Sequence, residues 1–75
     1  MRAMDVDESV AIRVNGEARR VSSGLSVTQM LSAIGIDSAK VAVERNREIV
    51  PRSLLAQVGV EDGDEYEIVH FVGGG

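Results

Sequence analysis

The chain has 75 residues, 44% of them hydrophobic, with 12 acidic and 8 basic side chains for a formal net charge of -4. That length allows one domain of one sheet and one helix, with little room for an enclosed substrate pocket. The acidic balance argues against a nucleic-acid surface, which needs clustered Lys and Arg, and the absence of cysteine removes disulfides, thiolate metal ligands and a thiol nucleophile.

Only Tyr66 and Phe71 are aromatic, so the core must be aliphatic. No apolar stretch is long enough for a signal peptide or a membrane span, and the expectation is a cytoplasmic protein with no membrane partner. Met1 to Glu8 show no period and read as a disordered leader that could be removed without loss. From Val10 the pattern changes: Val10, Ile12 and Val14 alternate with Ala11, Arg13 and Asn15, the period of a half-buried strand. Asn15-Gly16 then predicts a tight hairpin, because both central positions of a type I′ turn need positive φ. The return strand, Glu17 to Val21, carries Arg19 and Arg20, which suit an edge or a wet face.

Ser22-Ser23-Gly24 breaks that strand and a helix follows. Ser26 can cap it, Gln29 can complete a capping box, and Leu25 and Met30 occupy the two positions of a hydrophobic staple. Val27, Met30, Leu31 and Ile34 form one helical stripe, Gly35 supplies a left-handed stop, and Ile36 can fold back on Leu31. A short one-faced helix must lie on a sheet. Lys40 to Glu44 is the next alternating strand, followed by the turn Arg45-Asn46-Arg47 and the pair Ile49-Val50, which Pro51 confines to a short edge. Ser53 to Gln57 can make one helical turn, with Leu54, Leu55 and Val58 plugging the open end of the core. Glu61-Asp62-Gly63-Asp64 is a tight turn, and Glu65 to Phe71 is the last strand.

In that strand Tyr66 and Ile68 share one face while Val69 and Phe71 share the other. Either a bulge re-aims the side chains, or both faces are covered, one by the helix and one by a partner meeting a patch of Val69 and Phe71. The partner reading is the expectation. The strand runs without a spacer into Gly73-Gly74-Gly75. A terminal glycine run is also what a frayed tail looks like, but three residues without Cβ form a thin strip that can enter a narrow channel, and Val72 to Gly75 reach at most about 13 to 14 Å.

The order of hairpin, helix, strand, short strand and strand lets the last strand pair beside the first in a mixed sheet carrying one helix. That is an α+β arrangement, the ubiquitin-like β-grasp with four to five strands. The chain then divides into a leader (1–8), a domain (9–72) and a flexible tail (73–75).

Val41-Ala42-Val43-Glu44 with Asn46, Glu48-Ile49-Val50-Pro51-Arg52, Glu61-Asp62-Gly63-Asp64 and the final Gly74-Gly75 resemble the ThiS-type sulfur carriers of thiamine biosynthesis over residues 10–75. The resemblance implies that the Gly75 carboxylate is adenylated with ATP by a ThiF-like activating enzyme, becomes a thiocarboxylate with sulfur from a donor such as a cysteine desulfurase, and gives that sulfur to a ThiG-like thiazole synthase. It implies a partner-binding tail of Val72, Gly73 and Gly74, and no bound cofactor beyond the ATP the partner uses. Two features depart from the pattern: the leader is long, and Gly73 stands where a larger residue is expected. The same chemistry would suit a molybdopterin synthase small subunit, and the fold would also suit a ubiquitin-like modifier.

Other candidate sites are weaker. No nucleophile, base and orienting residue could share a pocket, so no catalytic residue is expected and the chain is not read as an enzyme. His70 has no partner at metal-ligand spacing and reads as a solvated strand residue; no metal site is expected. The acidic residues of the Glu61–Glu65 turn lack calcium-loop spacing but could meet basic residues of an activating enzyme. Arg19, Arg20, Arg45, Arg47 and Arg52 read as surface charge, with no role for Arg52.

Overall fold

The computed structural model describes residues 8–71. Five strands, β1 (Ser9–Val14), β2 (Glu17–Ser22), β3 (Val41–Arg45), β4 (Glu48–Ile49) and β5 (Glu65–His70), form one sheet of order β2-β1-β5-β3-β4. β5 lies in the middle, parallel to β1 and antiparallel to β3. The mixed α+β β-grasp topology expected from the order of elements is the one observed.

Asn15 and Gly16 take φ of 51° and 83°, which closes the β1–β2 hairpin as the Asn-Gly pair requires. The helix α1 (Val27–Ala33) carries the full capping box: Ser26 Oγ accepts from the Gln29 N–H, and Gln29 Oε1 accepts from the Ser26 N–H. Its first turn leaves other N–H groups unpaired by the helix itself. The segment before β5 supplies acceptors, since the N–H groups of Val27 and Thr28 donate to the carbonyls of Val58 and Leu55. Gly35, at φ 86°, lets the chain turn out of the helix so that the Ile36 N–H donates to the Leu31 carbonyl.

Val27, Met30 and Leu31 are completely buried against Ile12, Val14, Val43, Tyr66 and Ile68 on one face of the sheet. Leu55 and Val60 close the open end of this core, but Leu54 is 39% exposed. The expected plug therefore uses one leucine of the pair. The reason is helical geometry: the turn there is 3-10, at Arg52–Leu54, so adjacent residues cannot share its inner face. Glu8, assigned to the leader from the sequence, joins the fold, because its carbonyl accepts from the Ser23 N–H and extends the β1–β2 ladder. Residues 1–7 lie outside the described residues. No described helix is long and apolar enough to cross a membrane.

Candidate functional site

The pairing of β5 with β3 runs without interruption from Arg45↔Tyr66 to Val41↔His70. An unbroken register excludes the bulge, so the alternation of the strand is real and Val69 points away from the core. Tyr66 and Ile68 are buried under the helix, while Val69 is 63% exposed, Phe71 57% and Ile49, on neighbouring β4, 74%. The sheet therefore presents an apolar patch on its uncovered face at the end where β5 finishes. Exposed apolar groups gathered in this way mark a contact surface more often than a solvated one. Glu44 and Glu67 stand directly opposite each other beside it, and a cross-strand pair of like charges costs stability rather than adding to it.

Backbone pairing on the β1 side of β5 stops early, at Arg13↔Glu65 and Val14↔Tyr66. There the chain turns away at Asn15-Gly16. The Asn15 side chain takes over as a substitute strand: its Nδ2 donates to the Ile68 carbonyl at 3.1 Å, and its Oδ1 accepts from the Ile68 N–H at 2.7 Å. The hairpin residue thus clamps the strand that leads to the tail. On the opposite side the Phe71 N–H donates to the Lys40 carbonyl at 3.0 Å.

Arg52 performs a matching substitution at β3. The Val50 N–H donates to the Val43 carbonyl, and then Pro51, lacking an N–H, ends the ladder. The Arg52 guanidinium reaches the carbonyls that follow, donating from Nη2 to Val41 at 3.0 Å and from Nη1 to Ser38 at 2.9 Å. It also lies 5.5 Å from the centre of the Phe71 ring, within cation–π range.

The acidic turn is built inward. Asp64, 5% exposed, accepts on Oδ2 from Arg45 Nε at 2.8 Å, Tyr66 OH at 2.8 Å and the Glu61 N–H at 2.9 Å, and on Oδ1 from Asn46 Nδ2 at 3.1 Å. Burial pushes the Asp64 carboxyl up, but the Glu61 N–H, Arg45, Asn46 and Tyr66 together outweigh it and hold the carboxyl below the usual range. Burial, reinforced by the hydrogen bond to Asp64, pushes the Tyr66 phenol well above its ordinary value. The Asp64 hydrogen bond also raises Arg45. Asp62 is likewise occupied, its Oδ1 accepting from the Ala11 N–H at 2.8 Å. The expectation that this turn could meet a partner's basic residues is therefore corrected for Asp64, whose buried carboxylate holds the turn to its own fold; Asp62 is exposed and uses one oxygen to tie the turn to β1. Arg45 and Arg52, read as surface charge, tie distant segments together, Arg45 half-buried and Arg52 while still exposed. Nothing in their local sequence distinguishes them from Arg19 or Arg20, because their partners lie far along the chain.

His70 is exposed, and among the described residues no group of three or more His, Asp or Glu could hold a metal ion. Val72, Gly73, Gly74 and Gly75, the expected tail and carrier site, lie outside the described residues, one residue past the patch that Val69 and Phe71 form.

Comparison with known proteins agrees with this architecture. A crystal structure of the thiamine biosynthesis protein ThiS from Geobacter metallireducens superposes with a TM-score of 0.74 at 36% identity, covering 88% of this chain and all (100%) of that one. The chain is 40% identical over 50 residues to the sulfur carrier protein ThiS of Bacillus subtilis, covering 67% of this chain and 76% of that protein. It is 58% identical over 62 residues to a thiazole synthase of Paramagnetospirillum magneticum, covering 83% of this chain but only 19% of that protein's length. The model of the ThiS family matches residues 12–75, and the chain belongs to that family.

Proposed function

We propose that this chain is a sulfur carrier of thiamine biosynthesis and that the Gly75 carboxylate is the group it carries sulfur on. In the first step a carboxylate oxygen attacks the α-phosphorus of ATP on a ThiF-like enzyme and pyrophosphate leaves. The terminal sulfur of a persulfide on a donor such as a cysteine desulfurase then attacks the acyl carbon of the adenylate and AMP leaves. A thiol cleaves the resulting acyl disulfide, itself ending in a disulfide, and a thiocarboxylate remains, whereas free sulfide gives the thiocarboxylate in one step. The thiocarboxylate sulfur is nucleophilic at neutral pH and is handed to a thiazole synthase.

The observation that carries this reading is the junction between β5 and the glycines. A central strand, held on one side by β3 and on the other by Asn15, delivers the chain beside an uncovered apolar patch of Val69, Phe71 and Ile49. A partner seated on that patch would meet Phe71, the residue that precedes Val72 in the sequence. The likeness to a protein named as a thiazole synthase supports that enzyme as the acceptor, and the family supports the sulfur chemistry. The chain has no cysteine to carry sulfur as a persulfide, which favours a carboxylate as the carrier group.

The test is intact mass after incubation with the activating enzyme, ATP and a sulfide source. Exchange of one oxygen for sulfur, lost when Gly74 and Gly75 are deleted, is the expected result. An unchanged mass, or an amide bond to a lysine of another protein, would refute it, the latter in favour of a modifier. The reading also requires a free carboxylate on Gly75, which the intact mass of the protein isolated from its own cells reports.

A further inference from the structure

Arg52 is the described side chain that joins three separate parts of the fold at the exit of β5. It starts in the 3-10 turn after Pro51, bonds the carbonyls of Ser38 and Val41 at the entry to β3, and ends over the ring of Phe71, the last described residue before the tail. A guanidinium can do this where an ammonium cannot, because its planar fork serves two carbonyls while its face stays free for an aromatic ring. The two carbonyl bonds hold the cation still, and a cation held still restrains the ring lying against it. Phe71 needs that restraint. It is 57% exposed, lies beyond the end of β5, and donates its backbone N–H to the Lys40 carbonyl.

We propose that Arg52 is a positioning residue for the carrier terminus: by holding Phe71 against the entry to β3 it sets the direction in which the chain leaves the sheet toward a partner. This rests on the sulfur-carrier reading for its consequence, though not for its geometry. An unrestrained Phe71 would let the tail sample many directions, and the partner would have to select the productive one. That selection is a binding cost, so it falls on KM rather than on the chemical step.

The experiment compares the wild-type chain with Arg52→Met, which removes fork and cation, and Arg52→Lys, which keeps a cation but loses the fork. On the carrier alone, backbone amide relaxation of His70 and Phe71 should show increased motion in R52M, with R52K in between and the β1 and α1 signals unchanged. In the adenylation assay R52M should raise the KM for the carrier about three- to fivefold, the size of an exposed cation–π contact, with kcat within about twofold. Wild-type relaxation at Phe71 in both variants would overturn the proposal, and so would an unchanged KM in a wild type that is adenylated. If the wild type is not adenylated at all, the sulfur-carrier reading falls, and the relaxation measurement still decides whether Arg52 holds Phe71.

Discussion

Asp64→Asn tests whether the buried carboxylate organises the end of the sheet from which β5 starts. The native carboxylate accepts four hydrogen bonds, from Arg45, Tyr66, Asn46 and the Glu61 backbone. Asparagine keeps the volume but replaces one acceptor oxygen with a donor, which must face at least one of those donors, and leaves the Arg45 charge with the exposed Glu61 carboxylate at 3.9 Å in place of the close Asp64 pair. Removing one partner of a buried charge pair costs about 3–5 kcal/mol. A chain of this size has a total stability of about 4–11 kcal/mol. The substitution should therefore remove between about a quarter and all of it. In urea, with a slope of about 1 kcal/mol/M for so small a domain, the midpoint should fall by about 3 M or more. Tyr66→Phe is the scale for the comparison: it removes one donor and leaves the carboxylate with its other three, so it should cost about 1 kcal/mol. The two losses should add to less than their sum, because they share one oxygen.

The pH dependence has a definite sign. Asp64 is held below the ordinary carboxylate range in the folded state, so its stabilisation is present above about pH 4 and is lost as pH falls from there toward the lowered folded value. The D64N variant should lack that acid-side loss. Tyr66 is shifted upward, so its contribution persists below about pH 10 and fades as pH rises through the folded value. A D64N unfolding free energy within about 1 kcal/mol of wild type would refute the reasoning, because it would mean that the four donors find water instead.

Asn15→Gly keeps the positive φ of the hairpin but deletes both bonds to Ile68; it should cost about 1–2 kcal/mol, with faster amide exchange at Ile68 as the diagnostic signal. Val69→Asp alters an exposed position and should leave the urea midpoint within about 0.5 kcal/mol of wild type, yet weaken binding to the activating enzyme about tenfold or more by placing a charge on the apolar patch. Unchanged binding, measured calorimetrically, would remove Val69 from the interface. Arg47 sits at φ 71° in the β3–β4 turn, a region that costs a non-glycine residue about 1 kcal/mol, so Arg47→Gly should raise stability by about 0.5–1 kcal/mol in the same denaturation assay.

The amino-acid sequence by itself determined what depends on near neighbours. Two-residue alternation marked β1 and β3, Asn15-Gly16 marked the hairpin, and Ser26 with Gln29 marked the start of the helix, because each signal needs only residues within one turn or one strand of each other. The change of parity in β5 was also legible, and Val69 and Phe71 are exposed on the face away from the helix. The tertiary structure decided which polar side chains work at a distance. Asn15 reaches Ile68, Arg45 reaches Asp64, and Arg52 reaches Val41 and Phe71. In each case a polar side chain satisfies a buried group or an unpaired backbone group that appears only when distant segments are brought together. Linear spacing cannot reveal such a partner, since desolvation creates the need for it and only folding desolvates.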